Sequence, residues 1–151
     1  MTISNPKTLE FQIARTTLLV GLMKTLASNK QLPLPIKLYE ISDVVLQCEQ
    51  SDVGAKNQRR LAVLYCDVQA GFEKLHGVVD LIMLKLGVSP TRYHLRPETC
   101  TDEALFPGMR SDIVVDGQSV GVIGVLHPEV IVNFGVGYPV SVCEIELEGF
   151  V

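Results

Sequence analysis

The stretch SDIVVDGQSVGVIGVL, Ser111 to Leu126, limits the fold of this chain more than any other. Asp116–Gly117 sits between two apolar runs. An Asp-Gly pair readily takes the two left-handed conformations that a two-residue hairpin turn demands. The last third of the chain is therefore built on antiparallel pairing. YPVSVCEIELEGF extends it, with Val140, Val142, Glu144 and Glu146 alternating against Ser141, Cys143, Ile145 and Leu147. The spacing Glu144, Glu146, Glu148 reads as a solvated strand face. Earlier, IKLYEISDVV and LAVLYCDV read as a second antiparallel pair, joined by a long polar loop, QCEQSDVGAKNQRR, with Gly54 and Asn57 in it. Between Val88 and Arg110 the connection is irregular, broken by Pro90, Pro97 and Pro107, with TRYHLR as a short strand inside it.

Three segments carry helical signals instead. NPKT is turn chemistry, and Leu9 to Ala14 is short and mixed. From Thr16 a helix is expected, with Thr16 or Thr17 as N-cap. Leu18, Leu22 and Leu26 recur every four residues beside Leu19 and Met23, a broad apolar stripe, and Ser28 and Asn29 end it before LPLP forbids continuation. Gly71 precedes a second helix whose Phe72, Leu75, Val79, Ile82 and Leu86 step along one face, with Gly87 as its C-terminal cap. HPEVIVNFG is a short third helix with Pro128 in its first turn and Gly135 near its end. Helices interspersed with hairpin-linked strands predict the α+β class, an antiparallel sheet backed by helices, in a single domain over residues 1–151.

Bulk chemistry narrows function by exclusion. A formal charge of −4 disfavours a free-standing nucleic-acid binder, which needs a basic face. Cys48, Cys66, Cys100 and Cys143 are widely spaced with no C-x-x-C pair, so they read as buried reduced thiols rather than zinc ligands. No apolar run approaches the length of a membrane span, and the chain reads as soluble and intracellular. The abrupt opening, Met1 straight into TISNPKT, reads as that of a piece cut from something longer.

Few residues in the sequence carry a catalytic signal. GVIGVL lacks the lysine of a phosphate-binding loop, and its Gly121 and Gly124 read as sites of close backbone packing. His127 before Pro128 and Glu129 could be an acid–base group but reads rather as a cap or turn residue, and His76 four residues before Asp80 as a local ion pair. His94 between Arg92 and Arg96 makes a small basic spot. Glu40, in the middle of a strand, is either a ligand-gripping group or a satisfied structural one.

Four landmarks in fixed order, NPKTLEFQIARTTLLVGLMKTL, KLYEISDVV, ALFPG and GVIGVLHPEV, resemble the C-terminal catalytic-like core of the β subunit of phenylalanyl-tRNA synthetase, of the cytosolic eukaryotic and archaeal kind. The likeness runs from about Ser4 to Val151. It implies a class II aminoacyl-tRNA synthetase fold, an antiparallel sheet flanked by helices, taken from a β subunit several times longer than this chain. In class II catalytic domains, the strand similar to IKLYEISDVV carries an Arg two positions before its Glu, because a guanidinium fork pairs bidentately with phosphate and carboxylate. Here Leu38 stands at that position, and the late-helix Arg that grips the γ-phosphate also has no counterpart. A pocket left with Glu40, Glu144 and Glu146 repels a nucleotide triphosphate. The resemblance thus implies a non-catalytic domain that holds no cofactor of its own, with ATP and magnesium used elsewhere in the holoenzyme. Glu40 becomes a structural relic, hydrogen-bonded to backbone or a neighbouring hydroxyl.

The same resemblance implies a cytoplasmic assembly of two α and two β chains that makes phenylalanyl-tRNA. This domain would pack against the catalytic α subunit and meet tRNA only through the assembly. The subunit interface would be supplied by Phe11, Ile13, Arg15, Leu18, Leu19 and Leu22. Family members often carry Arg directly after the PG of ALFPG, where this chain has Met109 and then Arg110. Two rival readings stand beside this one. A self-contained adenylate-forming enzyme needs phosphate-gripping arginines that the sequence does not place. A stand-alone RNA- or protein-binding module would use Arg59, Arg60, Arg92 and Arg96 for RNA.

Overall fold

The computed structural model describes residues 13–150 of the chain. Six strands, β1 (Ile36–Gln47), β2 (Ala55–Cys66), β3 (Tyr93–Arg96), β4 (Leu105–Val115), β5 (Gln118–Leu126) and β6 (Val140–Glu146), form one sheet in the order β1-β2-β6-β5-β4-β3. Every pairing is antiparallel. The helices are α1 (Leu19–Ser28), α2 (Phe72–Lys85) and α3 (Pro128–Asn133). The α+β expectation is met, and the Asp116–Gly117 turn has the expected left-handed pair of residues, φ 51° and 82°.

The sheet is covered on both faces. Along β1 and β2 the even-numbered residues Ile36, Val44, Ala62 and Leu64 pack with Leu18, Leu22, Met23 and Leu26 of the α1 region and Val142 of β6. Ile131 and Val136, from α3 and the loop after it, join the same cluster. The odd-numbered side, with Tyr65, Cys143, Ile145, Ile113 and Ile123, packs under Leu75, Val79 and Met83 of α2. Each fully buried Leu or Ile contributes about 1.5–3 kcal/mol relative to leaving it in water. That holds the two clusters together through the sheet.

Four sequence expectations shift, each for a physical reason. Helix α1 starts at Leu19 rather than Thr16. Thr17 still accepts a hydrogen bond from the Leu19 N–H (3.2 Å), but Leu18, the cap residue itself, donates its N–H to Glu144 on β6. Strand β2 begins at Ala55, inside what reads as a polar loop, because Lys56, Asn57 and Arg59 are exposed strand positions paired with β1. Strand β4 begins at Leu105. Pro107, which lacks an N–H, sits in a bulge between Leu105 and Arg110, and Gly108 takes φ 84° there. Strand β6 is central, so of the glutamates read as a solvated face Glu144 is only 6% exposed, Glu146 is half-buried, and Glu148, past the end of the strand, is exposed.

The glycine expectation holds. A Cβ on Gly121 would lie 2.2 Å from the Glu144 carbonyl oxygen, and one on Gly124 would lie 2.9 Å from that of Met109. Gly121→Ala should lower stability in urea unfolding by about 1–3 kcal/mol, the usual cost of overpacking. Gly137→Ala, where a Cβ meets nothing within 4 Å, should leave it unchanged.

Candidate functional site

Beyond the start of α1, the face that this helix covers becomes polar. Strand alternation places Glu40 and Ser42 of β1, Gln58 and Arg60 of β2, and Glu144 and Glu146 of β6 on that one side. Glu40 and Glu144 both flank Ala62, and Ser42 and Glu146 both flank Arg60, so acidic or polar positions border this part of β2 on both sides.

Glu144 is the centre of this cluster. One carboxylate oxygen accepts from the Leu18 N–H at 2.8 Å, and the other from the Thr17 hydroxyl at 2.7 Å. It therefore satisfies orphan donors at the N-terminus of α1, where negative charge is favoured. Arg60 Nη1 lies 3.6 Å from the same carboxylate, and its Nε donates to Gln58 Oε1 at 2.8 Å. A third Arg60 bond reaches the Thr16 carbonyl at 3.4 Å. Charged groups this buried persist only when paired, and this pair is also hydrogen-bonded on both sides.

Arg15 closes the outer edge. Its Nη1 donates to Glu40 Oε1 at 2.7 Å, its Nη2 to the Ser42 hydroxyl, and its Nε to the Asp43 carbonyl at 3.2 Å. The Arg15 carbonyl in turn accepts from the Val45 N–H at 2.9 Å, so the leading segment is stapled along β1. The partner of Glu40 is therefore a guanidinium, not backbone or a hydroxyl as expected.

A cavity of about 220 Å³ remains, lined by Arg60, Ser119, Gly121, Val122, Glu144 and Glu146. Ligand pockets typically run to roughly 300–1,000 Å³, so this space is small by that measure. With two guanidiniums against three carboxylates, the face carries excess negative charge. A larger cleft of about 870 Å³ lies elsewhere, between the start of α2 and the bulge of β4, with Lys74 and Arg110 on its wall. Both cations are already engaged. Lys74 bonds the Tyr65 hydroxyl and Asp67, and Arg110 bonds the Asp102 carbonyl at 2.8 Å. Tyr65, followed by the Val68 N–H and Lys74, holds the Asp67 carboxyl below the usual carboxylate range.

The other residues singled out in the sequence fall apart in space. Ile13 is 70% exposed and Arg15 half exposed, whereas Leu18, Leu19 and Leu22 are buried against the sheet; Phe11 lies outside the described residues. Leu38 packs against the α1 cluster. Arg59 pairs with Asp43 on the opposite face from Arg60, and Arg92 pairs with Asp116 at the hairpin turn, so these arginines form no common patch. Each holds its carboxylate partner at a lowered pKa by direct hydrogen bonding. His127 caps α3 by accepting from the Glu129 N–H at 3.3 Å, and His76 lies 3.7 Å from Asp80. All four cysteines are free. Burial raises the Cys66 and Cys100 thiols and pushes Cys143 up to about 12. Among the described residues no group of three His, Cys, Asp or Glu could hold a metal, and no helix is long and apolar enough to cross a membrane.

The roles of Glu144 and Arg60 were not readable locally. Their partners lie across two strands and across 126 residues of chain, and only the alternation of β6 hinted that Glu144 shares a face with Val140 and Val142.

Residues 1–147 match a family model described as the phenylalanyl tRNA synthetase beta chain CLM domain. The phenylalanine–tRNA ligase beta subunit of Mus musculus is 51% identical over 152 residues, and that of Homo sapiens 49% over 152, each covering 98% of this chain. A beta subunit from Arabidopsis thaliana, whose name specifies cytoplasmic, is 38% identical over 157 residues and covers 97% of this chain. The chain spans 26% of the length of each of these relatives. Among solved structures, pyrrolysyl-tRNA synthetase from Desulfitobacterium hafniense superposes with a TM-score of 0.72 over 90% of this chain and 48% of its own, at 13% identity. A second structure of a pyrrolysyl-tRNA synthetase from that organism gives 0.69 over 89% and 46%. These likenesses show the fold, and it is the class II synthetase-like sheet expected from the sequence.

Glu144→Ala should cost about 2–4 kcal/mol in denaturant unfolding, because it strands Arg60 and the donors of Thr17 and Leu18. Glu144→Gln, which keeps the acceptor but not the charge, should cost less.

Proposed function

Because the chain belongs to the phenylalanyl-tRNA synthetase β-chain CLM-domain family, we propose that it is a non-catalytic class II-like core which packs against and supports the catalytic α subunit during tRNA aminoacylation in the cytoplasm. In this reading ATP and magnesium act in the holoenzyme and not here, the assembly holds two α and two β chains, and tRNA is met through that assembly. The observation that carries the non-catalytic reading is the engagement of both arginines on the polar sheet face: Arg15 by Glu40 and Ser42, and Arg60 by Gln58 and Glu144. A triphosphate brings several negative charges, and gripping it requires free cationic forks. On this face it would meet the carboxylates of Glu144 and Glu146, which line the small cavity beside Arg60.

The internal network also favours a supporting role over a stand-alone RNA binder, since Arg59, Arg60 and Arg92 each serve an internal carboxylate. Contact with the α subunit is assigned to the exposed part of the leading segment, Ile13 with Arg15 beside it. The leucines behind them already belong to this domain's own core and orient that segment.

Calorimetric titration with ATP and phenylalanine should give no heat of binding. Micromolar affinity for either would overturn the non-catalytic reading. Ile13→Asp, at a surface position, should reduce co-purification with the α subunit while leaving the thermal unfolding of the chain unchanged. Normal assembly of that variant would remove Ile13 from the interface.

A further inference from the structure

The two faces of the sheet are not covered equally. On the α2 side, the helix lies over β6, β5 and β4, and the edge strand β1 is left bare. Lys37, Tyr39 and Ile41 project from β1 on that side, opposite Tyr65, Val63 and Leu61 of β2. Tyr39 is 75% and Ile41 54% exposed, whereas Tyr65 is buried. The facing flank of α2 carries Lys74, Val78, Leu81 and Lys85, which share one stripe at helical spacing, and Leu81 is 54% exposed. Between the two runs a groove of about 600 Å³, lined by Lys37, Val63, Tyr65, Lys74, Leu75 and Val78, continues the strip of apolar side chains.

The groove has an apolar floor, with Lys37, Lys74 and Asp67 as the charged groups on its rim. Lys74 is offset by Asp67, which also borders the groove, and Asp43 further along β1 is taken up by Arg59. Lys37 at one end and Lys85 at the other are exposed on a chain whose net charge is −4. This local positive excess over an apolar floor, in an otherwise acidic molecule, selects the partner by charge. We infer that the groove between β1 and α2 docks an amphipathic helix of a partner chain, with an apolar stripe flanked by carboxylates. The stripe would lie on Tyr39, Ile41, Val63 and Leu81, and its acidic flanks would face Lys37 and Lys85. The inference rests on this surface alone and stands apart from the reading of the polar face.

The test uses two synthetic helical peptides with leucines at i, i+3, i+4 and i+7. One has glutamates on both flanks and the other lysines. Each carries one tryptophan, a reporter unique in the mixture because the chain has none. The acidic peptide should bind at least about tenfold more tightly than the basic one, a gap of about 1.4 kcal/mol, and should weaken as salt is raised. Leu81→Glu and Tyr39→Ser should each abolish most of that binding, while Val132→Glu, on α3, should not change it. Equal binding of the two peptides, no binding of either, or indifference to Leu81→Glu would overturn the inference. So would light scattering in which the chain pairs with itself and Leu81→Glu abolishes that pairing, since a second copy would then be the occupant.

Discussion

The carboxylate of Glu144 is the interaction on which the rest of the architecture depends. It sits on the central strand β6 at 6% exposure and accepts from the Leu18 N–H and the Thr17 hydroxyl. Through those bonds it fixes where α1 begins and which stripe of that helix meets the sheet. A buried charge of this kind requires partners, and Arg60 on the neighbouring strand supplies the cation. Arg60 in turn holds Gln58 and the Thr16 carbonyl, so one residue of the last strand organises the leading segment, the first helix and the second strand.

That same network gives the polar face its chemical character. Both of its guanidiniums are engaged by groups of the same face, Arg15 by Glu40 and Ser42 and Arg60 by Gln58 and Glu144. The ion pairs Arg59–Asp43 and Arg92–Asp116 are of a different kind. Both are exposed and screened by water, and pairs of that sort contribute little to stability. Rigidity comes from the two apolar clusters pressed on either side of the sheet. Where α2 stops short of covering β1, that pressing ends and a surface suited to a partner begins.

Local chemistry made part of this legible in the sequence. The Asp116–Gly117 turn, the span of α2 and the His127 cap of α3 each follow from residues within a few positions of one another, and all three stand as read. The start of β2 was hidden because Lys56, Asn57 and Arg59 are strand residues facing solvent, and polarity alone resembles a loop. The start of β4 was hidden because Pro107 and Gly108 signal a break, and a bulge absorbs them within the strand. Glu40 was read as structural, which fits its position, but its partner Arg15 lies 25 residues earlier, and no spacing rule joins the two.

By itself, then, the sequence determined the antiparallel class, the hairpin at Asp116–Gly117 and the span of α2, though not where α1, β2 and β4 begin. Those are matters of local backbone preference and residue type. Only the tertiary structure decided that β6 inserts between β2 and β5. That insertion turns Glu144 from a solvated charge into a buried one, because a strand paired along both edges and packed on both faces keeps all but its last side chain, Glu146, away from water.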